Sequence, residues 1–166
     1  MTEADSEAIL KVLLDHGVDF VVIGASAAIL QGVPIAATFD LDVAAAATKP
    51  NLKRLEAALS ELDARLRVPD PEDSVAAKLD ARMLADLSVV TMMTRFGPFD
   101  LLFAPSGAPP YDELRKRAAE VAPFGMILRV ASIEDLISMK RAAGREKDTA
   151  HLAILLEFLR AADGSE

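Results

Sequence analysis

The run Val18 to Ile23 is apolar at every position but Asp19 and is closed at both ends by glycine, Gly17 and Gly24. A run this short and this apolar reads as a strand buried on both faces for most of its length. It must therefore lie inside a sheet, covered above and below. The cover begins just before it. Ala4 to Asp15 carries Ala8, Ile9, Val12 and Leu13 at helical spacing, and His16-Gly17 supplies the stop. Gly24-Ala25-Ser26 then opens a short helix, Ala27 to Gln31, ended by Gly32 and Pro34. Phe39 to Ala45 reads as the next strand. Asn51 to Leu62 returns to helix, with Leu52, Leu55, Ala58 and Leu62 on one side and Lys53, Arg54 and Glu61 outside.

The pattern continues with a short strand at Arg65 to Val68 and a proline-bounded polar loop, Pro69 to Asp73. Ser74 to Asp86 is the least readable stretch, open to a helix or a flap. Leu87 to Thr94 and Phe99 to Phe103 are β-prone runs around Arg95-Phe96-Gly97-Pro98, which predicts a hairpin. Tyr111 to Glu120 reads as helix and Met126 to Val130 as strand. Ser132-Ile133-Glu134-Asp135 has the form of a capping box, with Asp135 expected to reach back to the start of a helix running to Ala143. Gly144 breaks that helix, and a last one covers Glu146 to Arg160. No repeat or long linker divides the 166 residues, so a single domain, 1–166, is expected.

Composition narrows the chemistry. Cysteine is absent, which excludes disulfide frameworks and thiol catalysis. Two histidines, His16 and His151, leave little material for a His-rich metal site. The net charge of −8 disfavours broad binding to nucleic acid or anionic membranes. No apolar run is long enough to span a bilayer, and Asp5, Glu7, Lys11 and Asp15 argue against a secretory leader, so a cytoplasmic location without membrane contact is expected. Carboxylates, hydroxyls and basic side chains must carry the function.

Asp40-Leu41-Asp42 stands out because it interrupts an otherwise apolar strand, where unpaired charge is costly. Residues two apart on a strand project from one face, so both carboxylates need a compensating cation there. Hard divalent ions, Mg²⁺ first, take oxygen ligands, and a two-metal site clamps the attacking and leaving oxygens of a phosphoryl transfer. Asp100, after the Gly97-Pro98 turn, offers a third carboxylate if its strand lies beside Asp42. Gly24-Ala25-Ser26, between a buried strand and a helix, has the character of an anion binder. Lys140, Arg145 and Lys147, with Asp148 beside them, form a basic junction able to face phosphate oxygens. The same junction also suits a solvated pair of helix ends. Arg115-Lys116-Arg117 reads as surface, and Met83, Met92, Met93, Met126 and Met139 as core or wall.

Taken in order, Gly24-Ala25-Ser26, Gln31-Gly32-Val33-Pro34, Thr38-x-Asp40-Leu41-Asp42, the Thr94 to Leu102 hairpin, Ser132-x-Glu134-Asp135-Leu136-Ile137-x-x-Lys140 and Gly144-Arg145-x-Lys147-Asp148 resemble the small prokaryotic nucleotidyltransferases of the polymerase β superfamily, over about residues 8 to 160. The tail motif is similar to that of the abortive-infection toxin-like branch. The resemblance implies an α+β fold, a mixed sheet flanked by helices with a C-terminal helical pair. It implies transfer of a nucleoside monophosphate from a nucleoside triphosphate, with Mg²⁺, to an acceptor hydroxyl. By position, Asp40, Asp42 and Asp100 would hold the metals, and Asp100 would help deprotonate the acceptor. Gly24, Ser26, Lys140, Arg145 and Lys147 would bind the nucleotide, with Thr38 and Asp148 supporting them. The acceptor would be tRNA or protein, with an antitoxin protein as partner.

Two departures from the family pattern bear on activity. Ala25 stands where Gly or Ser is usual, and Ile35, Ala36, Ala37 and Phe39 are apolar where many members carry Arg or Lys. They motivate a second reading, a nucleotide- or partner-binding domain without chemistry. A third is an antibiotic adenylyltransferase, since an acidic chain suits a cationic small acceptor.

Overall fold

The computed structural model describes residues 4–36, 40–67 and 79–164, with the side chain of Lys147 left out of the description. Its helices are α1 (Ser6–Asp15), α2 (Gly24–Leu30), α3 (Lys49–Glu61), α4 (Ala81–Ala85), α5 (Tyr111–Arg117), α6 (Ile133–Ala143) and α7 (Glu146–Asp163). Its strands are β1 (Phe20–Ile23), β2 (Leu41–Ala45), β3 (Arg65–Leu66), β4 (Val89–Thr94), β5 (Gly97–Leu102), β6 (Ala119–Val121) and β7 (Leu128–Val130). The strands order β3-β4-β5-β2-β1-β7-β6 in one mixed sheet, so the fold is α+β, a mixed sheet flanked by helices and ending in the helical pair α6 and α7. By contacts the chain divides into two units, one of residues 1–20 and 39–103, the other of 21–38 and 104–166.

In the first unit β2 runs parallel to β5, β5 pairs antiparallel with β4 through the two-residue turn at Arg95-Phe96, and β4 pairs antiparallel with β3. Thr94 closes that turn, its hydroxyl donating to the Gly97 carbonyl and accepting from the Phe96 amide. Leu41, Val43, Met92, Phe99 and Leu101 are fully buried, as are Leu55 and Leu62 of the α3 region and Leu84 of α4. Each such side chain contributes roughly 1.5 to 3 kcal/mol by leaving water. The helix starts are chemically defined: Asp5 accepts from the Ala8 amide before α1, and Thr48 accepts from the Asn51 amide before α3. Asn51 itself is buried. Its side-chain amide donates to the carbonyls of Asp19 and Ala46 and its oxygen accepts from the Asp19 amide, tying the approach to β1 to the end of β2.

In the second unit β1 runs parallel to β7, with Val22 opposite Val130, and β7 pairs antiparallel with β6. Gln31, at the end of α2, donates to the carbonyls of Ala27 and Ala131. The helix expected over Tyr111 to Glu120 stops at Arg117, and Ala119–Val121 becomes an edge strand instead. The register Glu120 opposite Arg129 gives it a ladder that its own sequence does not advertise. Ser132 caps α6 as expected, accepting from the Asp135 amide. The capping box is only half realised, because the buried Asp135 carboxylate accepts from Arg117. The Pro69 to Asp73 loop and residues 74–78 of the Ser74 to Asp86 stretch lie outside the described residues, and the described remainder of that stretch holds α4. Among the described residues no helix is long and apolar enough to cross a membrane.

Candidate functional site

Asp40 immediately precedes β2 and Asp42 is its second residue, so strand alternation turns both side chains to one side. The parallel register of β2 and β5 sets Asp42 directly opposite Asp100. The three carboxylates converge as a sequence reading alone can only suppose: one oxygen from each lies within 4.8 Å of the others, and all three side chains are half-buried. Crowding shows in the electrostatics. Burial pushes the Asp100 carboxyl above the usual carboxylate range; Arg67 pulls it back, and Asp40 pushes it further up. An all-oxygen set of three carboxylates suits a hard divalent cation such as Mg²⁺ or Mn²⁺, and these residues fit that group chemically.

The cation that shares this cluster is Arg67, which sequence reasoning did not single out. It follows β3, and its amide donates to the Thr91 carbonyl at 2.9 Å. Thr91 lies opposite Asp100 and Asp100 opposite Asp42, so Arg67, Thr91, Asp100 and Asp42 form one row across adjacent chain segments. The Arg67 guanidinium donates to Asp100 Oδ1 at 3.1 Å and stands 3.9 Å from Asp40 Oδ2. A signal was present in the sequence. Two carboxylates on one face demand a positive charge, and Arg67 lies in the stretch, Arg65 to Val68, expected to form a strand.

The other expected residues fall in the second unit. Gly24 opens α2 at φ 69°, a left-handed conformation that a side chain would strain, and half-buried Ser26 lies in the first turn. Lys140 and Arg145 both bond to Asp148: Lys140 Nζ at 3.0 Å, Arg145 Nε at 2.7 Å and its Nη2 at 3.3 Å. Asp148 is buried, which raises its pKa, but the hydrogen bonds from Arg145 and Lys140 outweigh burial and hold it at about 2. The three thus form an ion-pair cluster joining α6 to α7. Thr38 and the side chain of Lys147 lie outside the described residues, and His151 is half-buried on α7. In the loop after α2, Val33 and Ile35 are buried apolar residues.

No protein-family model matches the chain, and no curated protein matches it. A solved structure does. A protein from Thermotoga maritima, described as a "putative nucleotidyltransferase (TM1012)", superposes with a TM-score of 0.56 over 95% of this chain and 96% of that one, at 19% identity. The fold is nucleotidyltransferase-like. At that identity the likeness concerns the fold, and the candidate chemistry rests on the carboxylates that this chain brings together.

Proposed function

We propose that this protein is a metal-dependent nucleotidyltransferase that moves a nucleoside monophosphate from a nucleoside triphosphate to an acceptor hydroxyl. The observation that carries the reading is the convergence of Asp40, Asp42 and Asp100 on a nucleotidyltransferase-like fold. Asp40, Asp42 and Asp100 are the residues that would hold Mg²⁺. Bound there, the metal supplies charge stabilisation at the transferring phosphoryl group. The chain's own groups do the rest. Asp100 takes the proton of the acceptor hydroxyl as its oxygen bonds to the α-phosphorus, while the bond to the β-phosphate breaks and pyrophosphate leaves. Gly24 and Ser26 are the proposed contacts for the triphosphate, the glycine by removing the Cβ that would otherwise stand off a ligand. Lys140, Arg145 and Lys147 are proposed nucleotide contacts as well, and Thr38 and Asp148 supports for them. Asp148 already engages two of those cations.

For the acceptor we propose a tRNA or a protein, with the chain acting as a toxin held by an antitoxin; a cationic antibiotic is the small-molecule alternative that its net charge of −8 favours. A non-catalytic nucleotide-binding or partner-binding domain is the competing reading, favoured by apolar Ile35, Ala36, Ala37 and Phe39 where many members of the superfamily carry Arg or Lys. The test is transfer of label from each α-labelled nucleoside triphosphate with Mg²⁺ into total RNA, cell protein or an aminoglycoside panel. Wild type should label one pool and Asp42→Asn none. Equal transfer by the variant removes the proposed site, and nucleotide binding without product from the wild type selects the non-catalytic reading.

A further inference from the structure

The loop before Asp40 carries no basic residue, since Ile35, Ala36, Ala37 and Phe39 are apolar. A cation nevertheless reaches the carboxylates, from another strand. Among the described residues, Arg67 is the one whose ion pairs fall on this cluster, at 3.1 Å from Asp100 and 3.9 Å from Asp40. Its backbone is fixed by the bond to Thr91, while its side chain is 26% exposed, so the long stem can swing without disturbing the sheet. A guanidinium within about 4 Å of these carboxylates and a divalent ion on the same oxygens repel one another, and both compete for the same lone pairs. The displaced group would remain beside the site as a planar, permanently charged fork, the geometry that suits phosphate oxygens.

Building on the nucleotidyltransferase reading, we infer that Arg67 is an internal counter-ion that, paired with Asp40 and Asp100, offsets part of the charge of the Asp40–Asp42–Asp100 cluster until metal enters, and then transfers its charge to the triphosphate of the incoming nucleotide. Metal and nucleotide are thereby coupled: metal entry frees the fork that the nucleotide uses. Arg67 is in this sense a nucleotide-binding residue that also restrains metal affinity.

The experiment measures Mn²⁺ binding to the full chain by isothermal titration calorimetry and by the loss of the free-ion paramagnetic resonance signal. Wild type, Arg67→Met, Arg67→Lys and Asp42→Asn are compared, without nucleotide and then with a non-hydrolysable triphosphate analogue at saturating Mn²⁺. Removing one positive charge that lies within 4 Å of Asp40 and Asp100, the carboxylates that would hold the ion, should tighten Mn²⁺ binding to Arg67→Met at least about ten-fold after screening by salt. The same variant should bind the analogue at least about ten-fold more weakly, through loss of the fork. Arg67→Lys keeps the charge and should bind Mn²⁺ within about three-fold of wild type, which also answers for any loss of folding in the methionine variant. Unchanged or weaker Mn²⁺ binding by Arg67→Met, with clear binding by wild type, overturns this inference and leaves the metal site standing. So does unchanged affinity for the analogue. If neither wild type nor Arg67→Met binds Mn²⁺, the metal-dependent reading falls together with it.

Discussion

Replacing Asp148 by Asn tests the cluster that joins α6 to α7 through a single charge, because asparagine has the shape of the protonated acid. The carboxylate is 3% exposed and holds Lys140 and Arg145. Burial alone would raise its pKa; the two cations instead bring it from 3.8 down to about 2. At about 1.4 kcal/mol per pH unit, that difference corresponds to about 2 kcal/mol of stability carried by the ionised form. The sign follows from which state holds the proton. A depressed carboxyl stabilises the fold fully above its unfolded value of 3.8, and loses that contribution as pH falls toward about 2. Urea denaturation followed by circular dichroism should therefore place the midpoint of Asp148→Asn roughly 1 M below wild type at pH 7, with the slope unchanged. The gap should be the same at pH 5 and should shrink to about a third at pH 2.5. A midpoint within about 0.2 M of wild type at pH 7, or a gap undiminished at pH 2.5, would refute the argument that the cations stabilise the fold through this charge.

Asn51→Ala removes the bonds to Asp19 and Ala46 at a buried position, and should cost about 2 to 4 kcal/mol in the same denaturation assay. Gly107→Ala should destabilise by more than about 1 kcal/mol, because the residue sits at φ 82° and an added Cβ would lie 2.5 Å from the Ser138 carbonyl oxygen; a neutral result would mean that the loop moves off α6 freely. Asp100→Asn should raise the melting temperature at pH 7 in metal-free buffer, since burial and Asp40 disfavour its charge in the folded chain. That gain should fade in acid, as the wild-type carboxyl protonates, and the variant should bind Mn²⁺ more weakly than wild type.

Much of the architecture is legible because it depends on local periodicity. The apolar run at residues 18–23, the helical spacing of Ile9, Val12 and Leu13, and the hairpin around Arg95-Phe96 each state their structure within a few residues. Asp40 and Asp42 are legible for a related reason. Two charges in an apolar strand are costly, so their presence points to a use. β6 was not legible, because Ala119–Val121 becomes a strand only when β7 offers it a ladder. Nor was the second role of Asp135, whose carboxylate is taken up by Arg117, eighteen residues earlier.

The sequence by itself thus determined most of the strand and helix succession, β6 excepted, and the pair of carboxylates two residues apart, since these follow from backbone periodicity and from the cost of burying charge. Only the tertiary structure decided that Asp100 stands opposite Asp42, that Arg67 reaches across from the end of β3, and that Asp148 binds both Lys140 and Arg145. The first two depend on strand register between residues distant in the chain, and the last on how α6 and α7 meet across Gly144. One residue of slip would turn Asp100 to the opposite face of the sheet, and no local pattern encodes which register is adopted.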